Sequence, residues 1–357
     1  MKVYIRYIIL NFLKSFLYVF IIMISLVFIL NLLNEIVFFE NINVDNYIII
    51  YCTLLNSPAL IFEMFPFIFL IATQLFFVNM FKDNQIEIFK YSGLKNSKII
   101  VIITSFTFFL GIIAILIFYN FSANLKNFYL DLKSNYTTDD KYLAVITNNG
   151  LWIKDKIDDK ILIVNSLKIE DNFLINSFIT EFDQNYEIVR NIKSKKINIQ
   201  NNEWKIYDAT TFIGNTKIDN DLLRLNSNFN YEKIKKLFSN LSSLTIPQLF
   251  QLKKNYFSLG YSVIEIDVYV YKLFSYPFFY LLMVVLSSLI MLNSKRLGSN
   301  TFKISLGLFL SVIIYYMNNL FYVLANSEKI YLELSILLPL VILTLFNFMI
   351  SKKINEK

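Results

Sequence analysis

Charge-free apolar runs recur along the chain at residues 15–34, 64–81, 99–124, 273–294, 304–327 and 334–351. A helix needs about 20 mainly apolar residues to cross the hydrocarbon of a bilayer. The pattern therefore predicts a membrane protein with six transmembrane α-helices, three on either side of a polar block of about 140 residues. A seventh apolar run, 46–62, is separated from the second span by Glu63 alone, which leaves no room for a turn. It is expected to be an interfacial or partly embedded helix, broken at Pro58 and leading into the second span. Lys14 and Lys272 stand at the ends of two runs, where each can extend its ammonium to the interface while its stem stays apolar.

The polar block reads differently. Stretches 160–169, 173–182, 186–199 and 203–212 alternate or are rich in Ile, Val, Phe and Tyr, and turn residues separate or flank them at 148–150 and 201–202. Short strands at regular spacing predict a β-sandwich or an open roll. A helix near 245–259, with Pro247 in its first turn and Gly260 as its stop, returns the chain to the fourth span. Three regions follow: 1–124 with spans one to three, the interfacial helix and a loop at 82–98; 125–264 as the strand domain; and 265–357 with spans four to six and a short tail. The inward side chains of the sheet are expected to form an apolar groove rather than a filled core, with Leu162, Val164, Phe173, Ile175, Phe178, Trp204, Ile206 and Phe212 as candidates. Trp152 and Trp204 are expected in the core of this domain.

Charge sets the orientation. Lys2 and Arg6 precede the first span; Lys82, Lys90, Lys95 and Lys98 follow the second; Lys295, Arg296 and Lys303 follow the fourth; Lys352, Lys353 and Lys357 end the chain. With six spans these segments share one face, which the distribution of basic residues marks as cytoplasmic. Both termini are then inside and the strand domain outside. The run from residue 15 is too long for a cleaved signal segment and is expected to be retained. The formal charge of +7 sits at helix ends, so it does not point to nucleic acid.

Composition narrows the chemistry. The chain is 56% hydrophobic and 17% charged, against about 25% charged in soluble domains. Histidine is absent and Cys52 is the lone cysteine, so imidazole catalysis, His-ligated metal and an internal disulfide are excluded. No GxxxxGK[ST] loop occurs, so nucleotide hydrolysis and any cofactor would belong to a partner. No serine sits in a nucleophile elbow, and the acidic pairs Asp139–Asp140 and Asp158–Asp159 read as solvated turns.

Two places carry candidate function. The loop 82–98, KDNQIEIFKYSGLKNSK, is amphipathic with Gly93 past its middle. It is either a lipid-surface helix held by lysines or a docking helix whose Ile86, Phe89 and Tyr91 fill a partner's groove. Asn31, Asn34 and Glu35 lie at the outer end of the first span. Interface solvation accounts for them; the sharper reading is a polar path for a lipid headgroup.

The chain resembles the lipopolysaccharide export permeases LptF and LptG. The resemblance starts at Arg6-Tyr7-Ile8 and continues through Asn56-Ser57-Pro58, Phe65-Pro66 and Tyr91-Ser92-Gly93-Leu94. It extends over Gly150-Leu151-Trp152-Ile153-Lys154-Asp155, the helix at 244–260, and Lys272 with Pro277. The order of these pieces and the three-plus-three layout carry it; the Gly-Leu-Trp segment and the helix ending at Gly260 are more like LptG.

Several expectations come from the resemblance alone. The outer domain would be a periplasmic β-jellyroll that receives acyl chains. A paralogous LptF-like subunit would pair with this chain around a lipid cavity in the bacterial inner membrane, with spans one and five as a lateral gate. Gln85, Ile86, Glu87, Phe89, Lys90, Tyr91 and Gly93 would form the coupling helix on a dimeric LptB-like ATPase. A single-span LptC-like jellyroll protein would take the lipopolysaccharide onward. The family's coupling helix usually has Glu eight residues before its glycine, where this chain has Gln85, with Glu87 two residues later. Family basic residues near the outer end of span one are replaced by Asn31, Val37 and Phe38.

Two other classes fit less well. A receptor or scaffold with a ligand-sensing outer domain needs a cytoplasmic output domain, and the longest inside segment has only about 20 residues. A membrane-bound acyl- or glycosyltransferase needs clustered catalytic residues, and none stand out.

Overall fold

A computed structural model describes residues 3–136, 151–157, 160–170, 172–214, 216–231, 233–234, 240–259, 262–293 and 299–355. The acidic pairs at 139–140 and 158–159, Gly150, Gly260 and the basic Lys2, Lys295, Arg296 and Lys357 lie outside them. The chain divides into a helical unit, Met1–Lys126 with Ile264–Lys357, and a second unit, Asn127–Val263.

Among the described residues, six helices are long and apolar enough to cross a membrane. They are α1 (Val3–Phe39), α2 (Asn46–Lys82), a third span built from α4 (Asn96–Ile113), a π turn (Ala114–Tyr119) and α5 (Asn120–Ser134), then α7 (Ile264–Leu292), α8 (Asn300–Asn326) and α9 (Leu332–Asn355). The short α3 (Gln85–Tyr91) follows α2, and α6 (Ile246–Leu259) precedes α7.

The apolar run before Glu63 is not a separate helix. Residues Asn46–Lys82 form one continuous helix with Pro58 and Pro66 inside it. Pro58 cannot donate to the carbonyl four residues earlier, which would ordinarily break a helix in water. In a membrane bundle, neighbouring polar side chains compensate. The carbonyl left open is that of Leu54; one residue before it, the Thr53 carbonyl accepts from Ser57 Oγ at 2.6 Å and from Asn31 Nδ2 of α1 at 3.0 Å, which ties this turn of α2 to its neighbour.

Helices α2 and α7 form the middle of the helical unit, being 67% and 72% buried along their apolar windows, against 22% for α1, α8 and α9. Lipid supplies no hydrophobic drive for helix association, so close packing and hydrogen bonds must supply it. Val19 and Val27 of α1 pack on Ile61, Ile68 and Ala72 of α2, and Phe16 stacks on Phe69 with ring centroids 4.8 Å apart. Gly111 of α4 lets Pro277 of α7 approach, since a Cβ there would stand 3.0 Å from Pro277 Cα. Ser287 Oγ of α7 donates to the Leu70 carbonyl at 2.9 Å, and Asn347 Nδ2 of α9 donates to the Leu282 carbonyl at 3.1 Å. Gln74 Nε2 of α2 reaches the Lys303 and Ile304 carbonyls of α8 at 3.3 and 3.4 Å. That reach depends on Gly307, where a Cβ would fall 2.0 Å from Nε2.

The second unit holds an antiparallel sheet of six strands in sequential order: β1 (Leu151–Ile157), β2 (Lys160–Glu170), β3 (Phe173–Phe182), β4 (Ile188–Asn198), β5 (Glu203–Ile213) and β6 (Thr216–Asn226). A crease crosses it. Paired rows run to Ser166–Ser177–Ser194 and resume at Lys168–Ile175–Lys196. In the skipped row Asn176 and Asp208 take positive φ, 49° and 47°. On one side of the crease the buried row is Val164–Ile179–Ile192–Thr211; on the other it is Ile169–Leu174–Ile197–Ile206. The buried positions thus shift by one residue. Serine hydroxyls satisfy the carbonyls beside the crease: Ser166 Oγ donates to the Ile175 carbonyl at 2.9 Å, and Ser194 Oγ to the Tyr207 carbonyl at 2.6 Å.

The sheet is rolled. Five strand spacings of about 4.8 Å would hold β1 and β6 some 24 Å apart if it were flat. Yet Asp155 of β1 accepts from Ser227 Oγ at 2.8 Å, one residue beyond β6. It also accepts from Asn228 N and Nδ2, both at 2.9 Å. Two residues on, the Phe229 carbonyl accepts from Trp204 Nε1 of β5 at 2.8 Å. Residues 227–229 therefore form a seam that joins the two ends of the sheet.

Candidate functional site

The loop after α2 contains a built helix. Asn84 turns the chain at φ 53°, and α3 runs for seven residues. It ends in a Schellman arrangement: Leu94 N donates to the Phe89 carbonyl at 2.8 Å and Gly93 N to that of Lys90 at 2.9 Å. Gly93 sits at φ 81°, a conformation that an L side chain resists. Ile86 is buried, and Phe89 packs edge-on against Tyr7 of α1 with centroids 6.2 Å apart. These two residues anchor α3 to its own chain. The outward surface is Glu87, Ile88, Lys90 and Tyr91, with Ile88 58% and Tyr91 89% exposed. Gln85 is held locally, its Nε2 donating to Asp83 Oδ2 at 2.9 Å. Of the residues proposed to fill a groove, only Tyr91 faces out, and Ile88 joins it. Beside α3, a cavity of about 630 Å³ lies between α1 and α2, with Tyr7, Lys14, Ser15, Asn79, Asp83 and Gln85 in its wall.

At the other end of α1 the polar residues separate. Asn31 is buried and bonded to α2: Nδ2 to the Thr53 carbonyl, and Oδ1 accepting from Asn56 Nδ2 at 3.1 Å. Its amide serves to join the helices. Glu35 is also buried, whereas Asn34 is exposed.

In the sheet, the eight proposed groove residues do not share a face. Leu162, Val164, Trp204 and Ile206 are on the buried side. Phe178 and Phe212 are on the opposite side, 41% and 37% exposed, while Phe173 and Ile175 are half-buried beside the inward Leu174. Trp152 is likewise outward, 53% exposed. The crease is the cause, because alternation cannot be extended across it. The same buried side carries Glu181, whose Oε2 accepts from Arg190 Nε at 2.6 Å, with Lys160 Nζ 2.6 Å from Oε1. Burial pushes this carboxyl up, but Lys160 and Arg190 outweigh it and hold it below the usual glutamate range.

A polar site inside the helical unit was not expected. A cavity of about 230 Å³ is walled by Glu63 of α2, Lys272 and Tyr276 of α7, and Asn318 and Tyr322 of α8. Lys272 Nζ lies 4.7 Å from the centre of the Tyr322 ring, and Glu63 shares the cavity wall with it. Asn318 is only 8% exposed, and the buried Tyr280 hydroxyl nearby has no hydrogen-bond partner among the described residues. The signal was present as two isolated charges in apolar sequence, read as a helix boundary and an interface lysine. Ionisable groups within spans are costly and favour protein-lined cavities.

Six apolar helices, polar groups turned inward and a rolled sheet inserted after the third span define a multi-pass membrane protein. The sequence matches the lipopolysaccharide export system permease family LptF/LptG over residues 6–353, and the chain belongs to that family. Its members are non-catalytic transmembrane subunits of lipopolysaccharide export, and the match does not separate LptF from LptG. Comparison with individually curated proteins gives no match.

Proposed function

We propose that this chain is the LptG-type permease subunit of an ATP-driven exporter in the bacterial inner membrane, with both termini cytoplasmic. It pairs with an LptF-like subunit, couples to a dimeric LptB-like ATPase, and passes lipopolysaccharide to an LptC-like jellyroll protein. The observation that carries this reading is the family match across both halves of the chain and the sheet between them. The distribution of lysines between spans supports the orientation, and the Gly-Leu-Trp sequence at 150–152 supports the LptG assignment. The outward residues Glu87, Ile88 and Tyr91 are the surface offered to the ATPase. The buried side of the sheet, Leu162, Val164, Trp204 and Ile206, is the side offered to acyl chains. The test is affinity purification in mild detergent with identification of bound proteins and lipid, followed by photocrosslinking from those four positions. Co-purification of an ATPase and ATP-dependent lipid adducts are expected. A chain that purifies alone and yields no adduct at any position overturns the proposal.

A further inference from the structure

Helix α6 presents two unlike faces. Its start is capped by Gln248 Oε1, which accepts from Thr245 N at 2.8 Å. Leu249 and Leu252, at 0% and 4% exposure, face inward, and the helix contacts β1. The outer stripe is Phe250, Lys254 and Phe257, spaced i, i+4, i+7. Phe250 is 49% and Phe257 79% exposed, and the lysine between them is exposed. Two phenylalanines flanking a lysine on an open helix face make a surface for lipid rather than for water.

Chain continuity says which surface covers it. Helix α7 has 29 residues, about 43 Å at 1.5 Å per residue, which matches a bilayer with its headgroups. Its first turn carries Glu265 and Asp267, so the helix starts at headgroup level. Only residues 260–263 separate it from α6. At about 3.5 Å per residue they span at most roughly 17 Å, so the end of α6 is held close to the headgroups. We propose that α6 lies in the membrane surface on the side of the sheet domain, with Phe250 and Phe257 at the acyl–headgroup boundary and Lys254 against lipid phosphates. This rests on the chain's being membrane-spanning and not on which lipid it exports.

The single cysteine, Cys52, is buried, so added cysteines can be labelled selectively. Spin labels at Phe250→Cys, Phe257→Cys and Lys254→Cys would be read in the full chain, reconstituted at one copy per vesicle of phosphatidylethanolamine and phosphatidylglycerol. The last variant keeps both phenylalanines. A label at Val341→Cys, on the exposed side of α9, verifies insertion. All three α6 labels should collide more with oxygen than with a water-soluble nickel complex. Lys254→Glu should raise the undocked fraction by about fivefold per unit of charge in the anionic vesicles, with little effect in purely zwitterionic ones. Nickel access at all three positions with Val341 inserted overturns the proposal. So does shielding that requires an added protein or a second copy, which would make the stripe a protein interface.

Discussion

Asp155 is the point at which the rolled sheet can be unlatched. Its carboxylate is 1% exposed and accepts three hydrogen bonds from Ser227 and Asn228. Asp155→Asn keeps the shape but turns one acceptor into a donor facing donors. Hydrogen bonds to a charged acceptor contribute about 1.5–3 kcal/mol net, and they are not additive within one cluster. A loss of about 2–3 kcal/mol is therefore expected. It should fall on the seam alone, because strands β2 to β4 are held by their own ladders and the crease serines. Every 1.4 kcal/mol is a factor of ten in an opening equilibrium. Amide hydrogen exchange of residues 151–157 and 227–231 should accelerate by about 30- to 150-fold, with β3 and β4 unchanged. Exchange that rises evenly through all six strands would mean that Asp155 supports the whole sheet and not a seam. Unchanged exchange would mean that 227–229 is held by Trp204 alone.

Three further outcomes follow from the geometry. Arg190→Met should destabilise the sheet unit by about 2–3 kcal/mol, whereas Lys160→Met, at a side chain 56% exposed, should cost no more than about 1 kcal/mol. Because the folded Glu181 carboxyl is held below its usual value, its contribution is full above about pH 4.3 and is lost as pH falls through the depressed value. Thermal melts of the full chain should show that acid sensitivity flatten in Arg190→Met; an unchanged slope would assign it to another group. Gly307→Ala should be near neutral, since the roughly 1 kcal/mol gained in helix propensity is offset by about 0.6–1.7 kcal/mol for displacing the Gln74 amide. In a Gln74→Leu background the same substitution removes no hydrogen bond, and a gain of less than about 0.5 kcal/mol on detergent unfolding would count against the Gln74–Gly307 contact. Gly93→Pro should remove the terminating bond of α3 and reduce ATPase co-purification without loss of membrane insertion, a result checked by pull-down; full retention of the ATPase would remove the docking assignment.

Much of this architecture was legible because two spacings dominate it. Apolar runs long enough for a bilayer give spans wherever they occur, and period-two alternation marked β3 at its observed ends and β2 and β5 within a residue. The failures have local causes. Pro58 reads as a break by the rules of water, yet α2 runs through it, packed along its length and tied to α1 at the preceding turn by Asn31. Strand β1 is short, with Leu151 and Ile153 as its buried apolar positions before the charged Lys154, Asp155 and Lys156 interrupt the pattern, and β6 is an almost wholly exposed edge, so neither gives a long alternation to detect. Face assignment failed at the crease, where Asn176 and Asp208 take left-handed backbone with no glycine to announce it. Glu63 and Lys272 were visible as residues but not as neighbours on one cavity, because 208 intervening positions hide a wall made only by packing α2 against α7 and α8.

Helix α3 and the closed roll bear on one energetic problem. Each methylene of an acyl chain moved into water costs about 0.8 kcal/mol, so a lipid with several chains faces a barrier of tens of kcal/mol outside a bilayer. An apolar surface can lower that barrier only if it is free when the chains arrive. In this chain the buried side of the sheet is already covered, with Val164 and Ile206 at 1% and 0% exposure and the seam bonded through Asp155. On the proposed reading, loading must therefore open the roll, at a cost set by the seam and by the apolar area uncovered. On that reading the free energy enters from the ATPase partner. The same reading places its entry at the outward face of α3, where Ile86 and Phe89 fix the helix to its own chain so that a push on Glu87, Ile88 and Tyr91 is passed to α1.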